Sequence, residues 1–336
     1  MRLSPLAVVT GAAGFIGSHV VDLVLAEGLR VHAIDNFSSG RIENLNHHKT
    51  NGDLVVEKRD LRAMSPNDSL FKGAEYVFHF AGMGDIVPSI ERPADYVSAN
   101  VMGTVHALEA ARAAGVVKFL YAASSSCYGI AKELPTTESA PIGPQYPYAL
   151  SKYLAEEAVF HWGQVYRLPV ISIRMFNVYG PRSRTSGAYG AVFGVFLKQK
   201  LAGRPFTIVG DGSQTRDFVF ATDVARAFWF AAVSSRKGEV YNLGAGSPQS
   251  VNRLVELLGG GQVVHLPKRP GEPDCTWADI TKIKTHLGWS PTISFEQGVA
   301  IMLQHIDYWR NAPLWDVASI QNATEAWYDS LSAEKT

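Results

Sequence analysis

Leu6-Ala7-Val8-Val9-Thr10-Gly11-Ala12-Ala13-Gly14-Phe15-Ile16-Gly17 is the stretch whose reading decides the fold. A short apolar strand, Leu6 to Val9, runs into a glycine-rich turn, and the amphipathic run Ser18 to Ala26 continues as a helix. The tight turn needs glycine, a backbone approaching a pyrophosphate tolerates no side chain, and a helix N-terminus offers free amide donors at its positive end. A second apolar strand, Arg30 to Ile34, ends at Asp35, whose carboxylate can accept hydrogen bonds from both hydroxyls of an adenosine ribose. The two features together read as a dinucleotide site. They favour NAD over NADP, because Asp35 would repel a 2′-phosphate, and Arg41 keeps NADP as the alternative.

Strand-like and helix-like segments alternate from residue 5 to about residue 176. Val55 to Lys58, Tyr76 to Phe80, Lys118 to Ser124 and Val170 to Met175 read as buried strands, with helical patterns at Pro93 to Ala114 and Pro147 to Tyr166. Such alternation predicts a parallel sheet with helices on both faces, and ligands on such sheets bind beyond the carboxyl ends of the strands. Asp35, Asp60, Ala81-Gly82, Ser124 and Phe176-Asn177 all fall at or just past those ends, so one crevice can gather them.

Tyr148 and Lys152, within Tyr146-Pro147-Tyr148-Ala149-Leu150-Ser151-Lys152, stand four apart and share a helical face. An ammonium there can lower the phenol pKa and make Tyr148 a base near neutral pH. A glycine-rich turn, a strand-terminal serine and then this pair is the order that a hydride-transfer site needs.

Composition sets limits on the partners. Lys plus Arg and Asp plus Glu both number 31 in 336 residues, so no global field draws the chain to nucleic acid or membrane. No apolar run approaches membrane-spanning length, and no signal peptide is read, because the stretch Leu6 to Val9 passes straight into the glycine loop. Two cysteines, Cys127 and Cys275, suit a reducing compartment, so a soluble cytoplasmic protein is expected. The histidines, His47-His48 and His79 among them, show no metal-ligand spacing, and no metal is expected.

In order along the chain, Gly11 to Gly17, Asp35-Asn36-Phe37-Ser38-Ser39-Gly40, Asp60-Leu61, His79-Phe80-Ala81-Gly82, Asn100 to Thr104, Ser124 to Gly129 and Tyr148 to Lys152 resemble one family's motifs. That family is the extended short-chain dehydrogenases/reductases of the nucleotide-sugar epimerase and dehydratase group. The C-terminal half resembles it in Arg174 to Pro181, Gly210-Asp211-Gly212, Arg216-Asp217-Phe218 and Arg269-Pro270-Gly271-Glu272, up to about residue 311. The resemblance implies a Rossmann-like doubly wound parallel sheet with a smaller, interleaved C-terminal α/β substrate domain. The division expected is residues 1–176 for NAD, 177–312 for the nucleotide sugar, and a helical tail, 313–336, packed on the body.

The same resemblance implies Ser124, Tyr148 and Lys152 as catalytic residues. Cofactor contacts carried over are Gly11, Gly14, Phe15, Ile16, Gly17, Asp35, Asn36, Ser38, Gly40, Asp60, Leu61, Ala81, Gly82, Met83, Asn100, Tyr148, Lys152 and Phe176. Substrate contacts are Ser124, Ser125, Ser126, Tyr148, Asn177, Arg216, Arg269 and Glu272, with the two arginines clasping the diphosphate. The 4,6-dehydratases of the family carry an Asp-Glu pair where this chain has Ser125-Ser126, so an NAD-recycling 4-epimerase acting on a UDP-sugar leads. A 4,6-dehydratase, a GDP-mannose 3,5-epimerase-like enzyme using Cys127, a keto-sugar reductase and a non-catalytic NAD-binding sensor stay as alternatives. Arg182 and Arg184 are possible contacts for a uronate. A homodimer through the helices 93–114 and 147–166 is also implied.

Overall fold

The computed structural model describes residues 4–183 and 192–331, so Arg184 lies outside the described residues. The first half alternates as the patterning demands: β1 (Leu6–Thr10), α1 (Phe15–Ala26), β2 (Arg30–Asp35), β3 (Leu54–Lys58), β4 (Ala74–His79), α2 (Ile86–Glu91), α3 (Pro93–Tyr96), α4 (Gly103–Ala114), β5 (Lys118–Ser124), α5 (Pro147–Tyr166) and β6 (Val170–Met175). These strands and a later one, Glu239–Leu243, form a seven-stranded parallel sheet. β1 shows why both faces must be covered: all five of its residues are buried. Ala7 and Val9 face a layer holding Val20, Val24 and Phe228, whereas Leu6 and Val8 face one holding Leu108, Ala111 and Val159. Each such aliphatic side chain removed from water contributes about 1.5–3 kcal/mol.

The second half is β7 (Asn177–Tyr179), α6 (Val192–Leu201), β8 (Phe206–Val209), β9 (Thr215–Arg216), β10 (Phe218–Phe220), α7 (Ala221–Val233), β11 (Glu239–Leu243), β12 (Gln249–Ser250), α8 (Val251–Leu257), β13 (Val263–Leu266), α9 (Thr281–Leu287), α10 (Phe295–Gln304) and α11 (Val317–Leu331). The main sheet runs β11-β6-β5-β4-β1-β2-β3, and three two-stranded pairs, β7 with β10, β8 with β13 and β9 with β12, stand beside it. An aromatic core of Tyr179, Phe193, Phe218, Phe295 and Trp309 fills this smaller part. Because α7 and β11 pack into the first body, residues after 177 belong to both parts.

Buried carboxylates stitch the interleaved segments. Asp217, fully buried, accepts from the backbone amides of Ala245 (2.7 Å), Gly246 and Ala278 (2.9 Å). Asp223 does the same for Thr292 and Ile293, both at 2.9 Å. Amide donors of this kind satisfy carboxylate oxygens that burial has cut off from water.

The predicted helix 93–114 is interrupted. Between α3 and α4 the chain makes a π-helical turn, Val97–Met102. Its buried Asn100 turns inward, where its side chain accepts from the Met83 amide (2.7 Å) and donates to the Met83 carbonyl and the Ser151 hydroxyl. Thr104 also donates to the Asn100 carbonyl (2.6 Å), which diverts that group from the regular ladder.

Under α5 lies a buried ion pair. Arg174 of β6 sends its Nε to both Glu156 oxygens at 3.0 Å and its Nη2 to one at 2.9 Å. Its Nη1 donates to the Tyr128 hydroxyl (2.9 Å), which donates to Asn242 of β11 (2.7 Å). Removing one partner strands a buried charge. Glu156→Ala is expected to lower unfolding stability by about 3–5 kcal/mol, while Glu156→Leu combined with Arg174→Met recovers most of it. Urea unfolding of the three proteins checks this, and a near-neutral Glu156→Ala would contradict it.

Candidate active site

The glycine loop is shaped by what it must let near. Gly11 has φ +64°, and a Cβ there would meet the Ala81 amide at 2.7 Å. At Gly17 a Cβ would fall on the Gly11 carbonyl oxygen, and Gly14 caps α1, whose first amides open toward the loop. A cavity of about 660 Å³ begins here. Gly11, Gly14 to Gly17, Asp35 with Asn36 and Ser38, Asp60-Leu61, Ala81 to Met83, and Tyr148 with Lys152 all line it.

Asp35 accepts from the amides of Ala13 (2.9 Å) and Phe37 (2.8 Å), which fixes its carboxylate at the end of β2. Burial pushes its pKa up and these amides pull it back. Asp60 is held by Arg62 at 2.7 Å and by its amide at 3.0 Å, and the Arg62 hydrogen bond keeps it well below the usual carboxylate range.

Three residues expected as cofactor contacts do not line the cavity. Phe176 is buried in the core with its ring 6.4 Å from Tyr128, and Met175, one residue earlier, faces the cavity instead, because neighbours along a strand point oppositely. Gly40 supports Asp35: a Cβ there would meet the carboxylate at 2.7 Å. Asn100 acts through the 81–83 turn that it holds. Conversely, Asn44, Arg62, Asp85, Arg182 and Tyr308 line the cavity without having been read as cofactor contacts. Arg41 lies under Tyr308, its guanidinium carbon 5.9 Å from the ring centroid. Tyr308 comes from far along the chain with no local motif, so only the fold reveals it.

Tyr148 sits in the first turn of α5, started by Pro147 at its first position. Burial pushes its phenol above the ordinary range, the Ser124 hydroxyl pulls it down, and the nearby Asp85 charge pushes it up. Lys152 is buried with its Nζ 4.4 Å from the Tyr121 ring centroid, and burial draws it down to about 7, against the opposing pull of Glu156. The expected lowering of the phenol by Lys152 is not among these influences, which come from burial, Ser124, Asp85 and Cys127. Ser124 shares a 2.8 Å hydrogen bond with Ser126, which with Ser125 forms the turn beyond β5. Cys127 packs in the core, and burial pushes its thiol up to about 12. A thiol so placed is no acid or base near neutral pH.

The remaining expected substrate contacts gather outside this cavity. Arg216 reaches Glu272 at 2.8 Å, and Arg269 stands 3.7 Å from the other oxygen of the same carboxylate. Asn177 accepts from the Thr276 hydroxyl (2.8 Å), beside them at the start of β7. Arg182 is held by Asp22 at 2.8 Å.

The structure also brings His47 and His48 onto one oxygen of Asp22, at 2.7 and 2.8 Å. Among the described residues these three are the one group close enough to hold a metal, a juxtaposition their sequence spacing hides. His79, fully buried at the end of β4, accepts from Thr10 (2.7 Å) and donates to Thr104 (2.9 Å), whose own proton is committed to Asn100. This fixes the neutral tautomer with the proton on Nε2. Burial, aided by the Lys152 charge, draws its pKa down to about 3.

A doubly wound sheet with a glycine loop, Asp35 at the end of β2 and Tyr148 with Lys152 in the cavity wall has the layout of a dinucleotide-binding site. The sequence model of the NAD-dependent epimerase/dehydratase family matches residues 7–244. A UDP-glucose 4-epimerase of Mycolicibacterium smegmatis is 37% identical over 311 residues, spanning 90% of this chain and 98% of that protein. The crystal structure of UDP-glucose 4-epimerase from Thermotoga maritima with UDP-glucose superposes with a TM-score of 0.83 at 34% identity, over 91% of this chain and 98% of that one. UDP-glucuronic acid 4-epimerase from Bacillus cereus, in complex with UDP-glucuronic acid and NAD, gives 0.84 at 31% identity, over 90% and 99%. The chain belongs to the NAD-dependent epimerase/dehydratase family.

His79 sets a pH dependence. Its folded pKa, about 3, lies below the 6.5 of an ordinary histidine, so between those values the unfolded chain binds a proton that the folded chain does not. Stability is expected to fall as pH drops through this window and to be insensitive to His79 above it. Urea unfolding at stepped pH checks this, with His79→Gln expected to flatten the slope; an unchanged slope would count against it.

Proposed function

We propose that this protein is a UDP-sugar 4-epimerase that oxidises the sugar at C4 to a transient ketone and reduces it on the opposite face. NAD, when bound, would supply the hydride acceptor and donor. Tyr148 takes the proton from the 4-hydroxyl and later gives one back, with the Ser124 hydroxyl lowering a phenol that burial raises. Ser124, within reach of the same phenol, donates to the reacting oxygen. Lys152 holds the nicotinamide ribose from within the cavity wall. Arg216 and Arg269 receive the diphosphate, with Glu272 orienting both.

The observation that carries this reading is the meeting of Tyr148 and Ser124 at a dinucleotide cavity with Ser125-Ser126 behind them. Elimination at C6 needs an acid there, and Ser126 is hydrogen-bonded to Ser124 instead, which disfavours a 4,6-dehydratase. The buried Cys127 thiol weighs against the 3,5-epimerase alternative. A neutral sugar such as the glucose and galactose pair is favoured by the likeness to UDP-glucose 4-epimerases. No described helix is long and apolar enough to cross a membrane, and two free thiols support a reducing, cytoplasmic setting.

Incubation with UDP-glucose is expected to give UDP-galactose without NADH accumulating in step with product. Steady NADH growth would replace the epimerase with a dehydrogenase. Tyr148→Phe should slow turnover by about 10²–10⁴-fold, the range for losing a general acid-base group, with NAD affinity intact.

We also propose a homodimer through α4 and α5. Met102, just before α4, and Leu150, Leu154 and Val165 on α5 leave an apolar band exposed on this side. Light scattering at micromolar concentration should give twice the chain mass, and a monomeric mass overturns the assignment.

A further inference from the structure

The family resemblance ends near residue 311, yet α11, beyond it, does not merely cover apolar surface. Its Trp327, 5% exposed, donates its indole N–H to the Pro270 carbonyl at 2.8 Å. The Arg269 guanidinium carbon lies 5.6 Å from the centroid of the same indole, and the Tyr146 ring centroid is 6.0 Å away. One turn of loop and one aromatic pair thus converge on a single side chain.

Both contacts lead to groups given roles above. Tyr146 stacks on Tyr148, with ring planes 7° apart and centroids 6.3 Å apart, and its phenol feels the charges of Glu272 and Arg216. Arg269 shares Glu272 with Arg216. On the following residue of α11, the Tyr328 hydroxyl donates to the Pro267 carbonyl at 2.9 Å, so the helix grips the 267–270 segment on both sides of Arg269. Ile320 and Thr324, 2% exposed each, bury the inner face of α11, which packs on α2 just beyond the 81–85 turn. Packing alone would not require both the indole N–H and its ring to be used on the loop of Arg269 and on Tyr146.

We propose that Trp327 is a positioning residue of the nucleotide-sugar site, holding Arg269 and Tyr146 where the diphosphate and the reacting sugar meet them. The proposal rests on the reading of Arg269 as a diphosphate contact. A guanidinium on an indole face keeps its plane and its outward N–H groups while the salt-bridge partner is exchanged for phosphate oxygens. Without the indole, Arg269 is free to collapse onto Glu272, and the site meets UDP with its fork displaced.

The test is calorimetric binding of UDP and of NAD to the full-length protein, with kcat and KM for UDP-glucose. Trp327→Ala, and Trp327→Leu, which keeps an apolar side chain at the site, should weaken UDP and raise KM by about 3- to 30-fold, the equivalent of a cation–π contact. NAD affinity should stay at the wild-type value, and Trp327→Phe, which keeps the ring face, should recover most of the loss. Arg269→Ala should weaken UDP as well, and adding Trp327→Leu to it should change little further. Unchanged UDP binding in Trp327→Leu, parallel losses of UDP and NAD, or full additivity with Arg269→Ala would each overturn the proposal. If Arg269→Ala itself leaves UDP binding unchanged, the diphosphate reading fails first.

Discussion

The buried Glu156–Arg174 pair is the constraint on which the site depends. It joins α5 to β6 underneath the turn that carries Tyr148 and Lys152, and through Tyr128 and Asn242 it reaches β11 at the edge of the sheet. An ion pair this deep is weak evidence for stability, since apolar groups of the same shape can do as well. Its value lies in direction. A fork with two oxygens at 3.0 Å permits one rotation of α5 against the sheet, whereas an apolar seam would permit several. Glu156 also raises the pKa of Lys152, so the residue that sets the helix in place keeps the lysine partly charged.

Burial shifts Tyr148, Lys152 and Asp35 in the cavity wall, and the fully buried His79, toward their neutral forms. Asp60 on the same wall goes the other way, because its hydrogen bonds with Arg62 hold it well below the usual carboxylate range. Desolvation and pairing thus act on different groups of one cavity, and how deeply each group is buried decides which of them governs it.

Much of this was legible in the sequence, for reasons that differ by element. β1 was readable because both its faces are buried, which makes five consecutive apolar or small residues the only workable pattern. Gly11 and Gly17 were readable because backbone meets backbone there, and no other residue fits. The π-helical turn at Val97–Met102 was not, since its Asn100 accepts from and donates to the backbone of Met83, seventeen residues earlier, which leaves the helical periodicity intact. Phe176 is read from the sequence as a cofactor contact, and its packing beside Tyr128 in the core is visible only in the fold. The cluster of Asp22 with His47 and His48 joins a helix to a distant turn, so no spacing rule could find it.

Trp327 shows where the limit falls for function. Its helix reads as apolar and aromatic at helical spacing, which specifies burial and nothing about what is buried against. The local sequence of α11 carries no signature of this, because its contacts to the site use an indole N–H and the indole ring, groups that look the same in any core tryptophan. A residue that positions a catalytic group through packing is written in the sequence as packing. Only the coincidence of its neighbours, Arg269 on one side and Tyr146 on the other, distinguishes it, and that coincidence exists only once the chain is folded.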